Sequence, residues 1–165
     1  MKKSSALAYV GHNERGDREK DDFYPTPESA TNSLLDRQEF QGNIWECACG
    51  NGAMSKVMIE QGYDVYSSDL IDRGYGEVGI DFLQSNKKVD NIVTNPPFNL
   101  ATEFTLKAFE LAKHKVVMLS KISYLEGVKR RELIFNKNKL EKVLRGMGYT
   151  NMKHYKGGVL DYFKK

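Results

Sequence analysis

The sequence is short of cysteine, histidine and long apolar runs, and each shortage removes a class of protein. The two cysteines, Cys47 and Cys49, sit two apart inside one turn. They are too close for an easy disulfide and too few to hold a structural zinc. They read instead as small buried thiols lining a loop. The three histidines, His12, His114 and His154, stand away from every motif described below, so each reads as a surface residue and none is assigned to catalysis. No apolar stretch approaches the roughly 18 residues that span a bilayer. The apolar run Ala6 to Val10 after Lys2-Lys3 is too short for the core of a secretion signal. With 28% charged and 40% hydrophobic residues in 165, the composition predicts one soluble, cytoplasmic domain with no membrane or metal partner.

Net charge is only +3, but its distribution is uneven. Residues 129–165 hold 11 Lys or Arg against 3 acidic groups, a net of +8, leaving 14 against 19, a net of −5, for residues 1–128. A basic segment of that kind binds phosphates or forms a solvated face with no partner.

Residues 1–22 are polar and without periodicity, and are expected to be flexible. In Phe23-Tyr24-Pro25-Thr26-Pro27, Thr26 is placed to cap a helix over Ser29 to Leu35 with Pro27 in its first turn. From Asn43 the pattern becomes regular. A strand over Ile44 to Cys47 runs into Gly50-Asn51-Gly52, a helix over Ala53 to Gln61, and a strand over Tyr63 to Ser68 ending at Asp69. Further strands are expected near Gly76 to Ile80, Val89 to Thr94 and Lys115 to Leu119. Between the last two, Leu100, Phe104, Ala108 and Leu111 mark one apolar helix face. This alternation predicts an α/β chain with a doubly wound, mostly parallel sheet and ligands at the carboxyl ends of its strands. The domain is expected over 23–135. Residues 136–165 are expected to finish the sheet or to be only partly ordered, with Leu140 to Leu144 and Val159 to Phe163 as candidates for a last antiparallel pair.

Three stretches carry chemistry. Glu46-Cys47-Ala48-Cys49-Gly50-Asn51-Gly52 is a strand end turning into a helix, where glycines let backbone approach a ligand. Asp69 closes the next strand, where a carboxylate is placed to accept from both hydroxyls of a ribose. These two features allow a nucleoside-containing cofactor without choosing between NAD and S-adenosylmethionine, although the G-x-G-x-x-G spacing is incomplete. Asp81-Phe82 offers a carboxylate for an adenine amino group and an apolar face beside it; a capping Asp and a core Phe are the structural alternative. Asn95-Pro96-Pro97-Phe98, after the apolar run Asn91 to Thr94, decides the matter. A conjugated nitrogen is a poor nucleophile, and the Asn side-chain oxygen and the Pro96 carbonyl provide two acceptors that favour its pyramidal form, aimed by a stiff Pro-Pro turn. Phe98 gives a flat group a face to stack on. That combination points to methyl transfer onto an amide-like or amino nitrogen.

The ordered set Phe23 to Pro27, Glu46 to Gly52, Asp69, Asp81-Phe82 and Asn95 to Phe98, followed by Ser123-Tyr124-Leu125-Glu126-Gly127 and Arg130, resembles the small phage-type DNA adenine-N6 methyltransferases. The resemblance covers about Asp22 to Glu132. It implies a Rossmann-like class I methyltransferase fold, S-adenosylmethionine as cofactor, and double-stranded DNA with a flipped adenine as partner. Tyr24 and Thr26 would contact the methionine end of the cofactor, and Glu46, Cys49, Gly50 and Gly52 would line it. Asp69 would hold the ribose, and Asp81 with Phe82 the adenine. Asn95 and Pro96 would accept from the target amine, Pro97 would stiffen the turn, and Phe98 would stack on the base.

The chain departs from that family after Glu132, where 33 residues remain and match poorly. The expectation is therefore a shortened or divergent member, with last strands either complete or incomplete, and the alternatives are methylation of a protein glutamine or an RNA base, or a non-catalytic remnant that binds DNA or a partner.

Overall fold

A computed structural model describes residues 23–135, 140–145 and 158–164 of the chain. Helix α1 (Glu28–Leu35) precedes strand β1 (Ile44–Glu46), helix α2 (Ala53–Glu60), β2 (Val65–Asp69) and β3 (Glu77–Val78). Next come β4 (Val89–Thr94), α3 (Ala101–Leu111) and β5 (Ala112–Lys121), then a short helical segment that includes α4 (Val128–Arg130), and finally β6 (Leu140–Arg145) and β7 (Gly158–Lys164).

The described strands form one seven-stranded sheet in the order β3-β2-β1-β4-β5-β7-β6. Strands β1 to β5 are parallel, and β7 runs antiparallel between β5 and β6. The chain winds outward from β1 through β2 to β3, then returns to the other side of β1 as β4. The carboxyl ends of β1 and β4 therefore flank the switch point, where diverging crossovers leave a crevice. Glu46 to Gly52 follows β1 and Asn95 to Phe98 follows β4, so the topology alone brings the two main motifs together.

Alternation along the strands divides the core into two layers. Ile92, Val116 and Met118 face α3 and its residues Phe104, Ala108 and Leu111. Val93, Val117 and Leu119 lie in the opposite cluster with Leu34 of α1 and Met54 and Met58 of α2. Trp45 is fully buried, and its indole N–H donates to Ser68 Oγ at 2.8 Å, so the large ring enters the core with its polar atom satisfied. Each such large apolar side chain contributes about 1.5–3 kcal/mol of transfer free energy.

Several boundaries differ from the sequence expectation, each for a physical reason. β3 is cut to Glu77–Val78 because Gly76 and Gly79 on either side take φ of 74° and 80°, outside any strand conformation. β5 is longer than expected because it pairs along its length with β4 and β7. Helix α1 is capped by Pro27 with no side-chain cap bond, and Thr26 is not its cap. The sheet does not stop short: β6 and β7 form the antiparallel pair and carry it to seven strands. Residues 1–22 lie outside the described set. Among the described residues no helix is long and apolar enough to cross a membrane.

Candidate functional site

The crevice at the switch point holds a cavity of about 470 Å3. Its walls come from Phe23 to Thr26, the end of β1 and the turn after it (Glu46 to Cys49), the start of α2 (Ala53 and Met54), the end of β2 (Asp69 to Ile71), Ile80 to Leu83, Asn95, Pro97, Asn99 and Leu100, and Phe104 of α3. Of the residues expected from the sequence, Tyr24, Thr26, Glu46, Cys49, Asp69, Asp81, Phe82, Asn95 and Pro97 line it. Gly50, Gly52, Pro96 and Phe98 do not, although each adjoins a residue that does.

Glu46 is 2% exposed and ends the central strand. The Ser67 hydroxyl donates to Ser55 Oγ at 2.7 Å, and the Ser55 hydroxyl donates on to Glu46 Oε2. Burial pushes the Glu46 carboxyl up to about 8, the Ser55 bonds offset this only in part, and the neighbouring Asp69 charge adds to it. The shift favours the protonated carboxyl near neutral pH, and a cation beside it would lower it again. The two thiols are also neutral. Burial, followed by the Glu46 and Asp69 charges, raises Cys49 to about 12, and burial raises Cys47 well above the ordinary thiol range. Neither is a nucleophile in this state.

Asp69 Oδ2 accepts from the Gly50 N–H at 2.8 Å and Oδ1 from the Ile71 N–H at 3.0 Å. The carboxylate thus fastens the Gly-containing turn to the end of β2 and keeps lone pairs for a ligand. Asp81 Oδ1 accepts from the Leu83 N–H at 2.9 Å and caps the short 3-10 turn Phe82–Gln84. Phe82 is 2% exposed, packed edge-on against Trp45 and against Phe104 at ring separations of 5.2 and 4.9 Å. The capping and core roles weighed as the structural alternative are therefore both present, at the cavity wall.

The glycines of the turn answer to neighbouring rings. Gly50 and Gly52 take φ of 56° and 78°. A Cβ on Gly50 would lie 2.3 Å from the Phe23 ring, and one on Gly52 would lie 2.4 Å from the Tyr75 ring. The Phe23 ring in turn carries the Arg73 guanidinium 4.2 Å from its centre.

Asn95 is held by its own amide. Its Nδ2 donates to the Tyr24 carbonyl and to Thr26 Oγ1, both at 3.1 Å. A carbonyl only accepts, so the amide must present its NH2 to Tyr24 and turn Oδ1 the other way. Among the described residues Oδ1 is buried and has no hydrogen-bond partner. A buried acceptor left unpaired costs about 1–3 kcal/mol, which a ligand donor would recover. Three residues on, the Phe98 ring stacks on Tyr24, with centres 6.0 Å apart and planes 20° apart.

Sequence reading missed Phe23 as a wall residue together with Leu70, Ile71 and Arg73. Leu70 is 59% exposed and Ile71 37%, apolar side chains held at the cavity mouth. The available signal was an apolar pair immediately after an acidic strand end. His114 is exposed, as expected, while His12 and His154 lie outside the described residues. So does much of the basic segment.

No protein-family model and no curated protein matches the sequence. Solved structures do resemble the fold. The magnesium protoporphyrin IX methyltransferase of Synechocystis PCC 6803, solved with bound S-adenosylmethionine, matches with a TM-score of 0.60 at 15% identity, over 84% of this chain and 79% of its own. A TehB-like S-adenosylmethionine-dependent methyltransferase from Corynebacterium glutamicum matches with 0.60 at 16% identity, over 83% and 88%. The ribosomal protein L11 methylase of Lactobacillus delbrueckii matches with 0.59 at 12% identity, over 82% and 75%. Their shared architecture is the Rossmann-like α/β fold of class I methyltransferases, and this chain has it.

Proposed function

We propose that the chain is an S-adenosylmethionine-dependent methyltransferase that modifies the exocyclic N6 amine of adenine in DNA. The observation that carries the reading is the buried, partnerless Oδ1 of Asn95, fixed by two hydrogen bonds at the wall of a switch-point cavity.

The residues present fit the cofactor. A cavity of about 470 Å3 is in the size range of small-molecule sites. Glu46 and Cys49, with the Thr26 hydroxyl beside them, suit the methionine end, where an ammonium would supply the cation that Glu46 lacks. Asp69 retains acceptor capacity for the ribose, and Asp81, Phe82, Ile80 and Leu83 form a polar-edged apolar wall for adenine. When bound, the cofactor would supply a methyl group activated by its sulfonium, with the sulfur as a leaving group that retains the C–S bonding electrons.

The protein's part is position. Asn95 Oδ1 and the Pro96 carbonyl would accept the two amine hydrogens, which favours the pyramidal nitrogen and takes its lone pair out of conjugation with the ring. Oδ1 is already aimed, so no side chain needs to be ordered when the base arrives. Taking a base out of the duplex costs a few kcal/mol, which stacking on Phe98 offsets. The basic segment over 129–165 suits a phosphate backbone.

Incubation of the full chain with labelled S-adenosylmethionine and unmethylated duplex DNA tests the reading. Label in methyladenine is the expected result. Parallel incubations that label only RNA or only protein, with DNA unlabelled, would move the substrate to the other conjugated nitrogens considered above.

A further inference from the structure

The Tyr24–Phe98 pair has no task in the account so far. The two rings come from segments 74 positions apart in the chain, on either side of Asn95. The Tyr24 backbone accepts from the Asn95 amide, Phe98 follows three residues later, and Asn95 Oδ1 is left without a partner. The rings are within 20° of parallel, their centres are 6.0 Å apart, and both are only half-buried. A planar base held between two rings needs two stacking steps of about 3.4 Å each. Separating the pair by about an ångström, with the rings brought into register, would make that slot. Tyr24 lines the cavity, and Phe98 lies between Pro97 and Asn99, which line it too, so the pair sits at the cavity's edge.

We infer that Tyr24 is a substrate residue, the second wall of a slot that clamps the target base against Phe98, and not a contact for the methionine end of the cofactor. This rests on the proposed reading of the site as an adenine methyltransferase. The two segments differ in how they are held. Phe98 sits on a Pro-Pro turn. Tyr24 sits on a segment tied down by two hydrogen bonds from one amide, an arrangement that sets the wall by the same group that presents the acceptor. Wall and acceptor therefore move together, and a base edge that reaches Oδ1 lies between the two faces. Stacking platforms of this kind tolerate any base on the ring faces, so selection for adenine falls to the edge contacts at Asn95 and Pro96.

The test compares wild type, Tyr24→Ala and Tyr24→Phe as full chains. It reads the KM for unmethylated genomic DNA, the Kd for S-adenosylmethionine by calorimetry, and the fluorescence of a single-stranded oligonucleotide carrying 2-aminopurine in place of adenine. Loss of one stacking face predicts that Tyr24→Ala raises the DNA KM on the order of tenfold, leaves the cofactor Kd within twofold, and abolishes the quench of 2-aminopurine seen with wild type. Tyr24→Phe should restore the DNA KM and the quench and leave the cofactor Kd unchanged. A rise in cofactor Kd without a rise in DNA KM would overturn the inference and return Tyr24 to the cofactor. A faster Tyr24→Ala enzyme would overturn it too, because the ring would then obstruct the base. Wild type that methylates DNA while Tyr24→Ala leaves the DNA KM unchanged would sink the clamp and keep the function. Wild type that transfers no methyl to DNA yet quenches 2-aminopurine through Tyr24 would keep the clamp and sink the function. No quench and no DNA methylation would sink both.

Discussion

The side-chain amide of Asn95 donates to the hydroxyl of Thr26 across 3.1 Å, joining residues 69 positions apart. That bond, with its companion to the Tyr24 carbonyl, decides which end of the amide is satisfied within the protein and leaves Oδ1 as the unpaired end. It also explains why Thr26 does not cap α1: its hydroxyl oxygen is recruited by the turn after β4, and the helix begins from Pro27 without a side-chain cap.

Thr26→Val keeps the volume and removes the acceptor. One hydrogen bond of about 1–1.5 kcal/mol is lost from the Asn95 amide, which predicts a fall of roughly tenfold in methyl transfer, with Thr26→Ser restoring it. Equal rates for Val and wild type would show that the Tyr24 carbonyl alone orients the amide.

Glu46 should set a slope in the stability of the ligand-free protein. Its carboxyl ionises near 4.5 in the unfolded chain and at about 8 in the fold. Between those values the unfolded state binds fewer protons than the folded one, so the contribution present below pH 4.5 is lost as pH rises toward 8 and changes no further above it. The slope is at most about 1.4 kcal/mol per pH unit. Urea denaturation at intervals from pH 5 to 8 should show it in wild type, and Glu46→Gln should flatten it. Parallel profiles would mean that the carboxyl is ionised in the fold.

Gly52→Ala should destabilise the protein in two separable ways. A non-Gly residue at φ 78° costs about 1–3 kcal/mol, and the new Cβ meets the Tyr75 ring at 2.4 Å. In a Tyr75→Ala background the second part disappears and the first remains. Trp45, the one tryptophan in the sequence and fully buried, gives the fluorescence signal for these denaturation curves. Equal losses in both backgrounds would show that the ring moves aside without cost.

Much of the architecture was legible because it depends on pattern. β4 is a six-residue strand with the limits expected, since Val89, Ile92 and Val93 supply apolar side chains to both faces and the strand ends at a Pro-Pro turn. The placement of Glu46, Asp69 and Asn95 around one crevice followed from strand order. What was not legible depends on contacts between distant segments. The Gly50-Asn51-Gly52 turn was read as backbone cleared for a ligand, whereas Phe23 and Tyr75 fill the space over its glycines, and no local spacing announces those rings. Leu70 and Ile71 carry only an ambiguous signal, because an apolar pair after a strand looks like the start of a loop. The ends of β6 and β7 were blurred by Lys- and Asn-rich flanks that suit strand edges and loops alike.

The account stands or falls on Asn95, and one measurement tests it directly. Labelled methyl from S-adenosylmethionine is offered to unmethylated double-stranded DNA with wild type and with Asn95→Ala, and nuclease digestion identifies the modified base. Cofactor binding is measured alongside by calorimetry. The account predicts label in N6-methyladenine with wild type, a loss of at least about a hundredfold on removing the aimed acceptor, and unchanged cofactor affinity. Transfer to DNA that survives the substitution would contradict it, as would wild type that binds the cofactor and leaves DNA unlabelled.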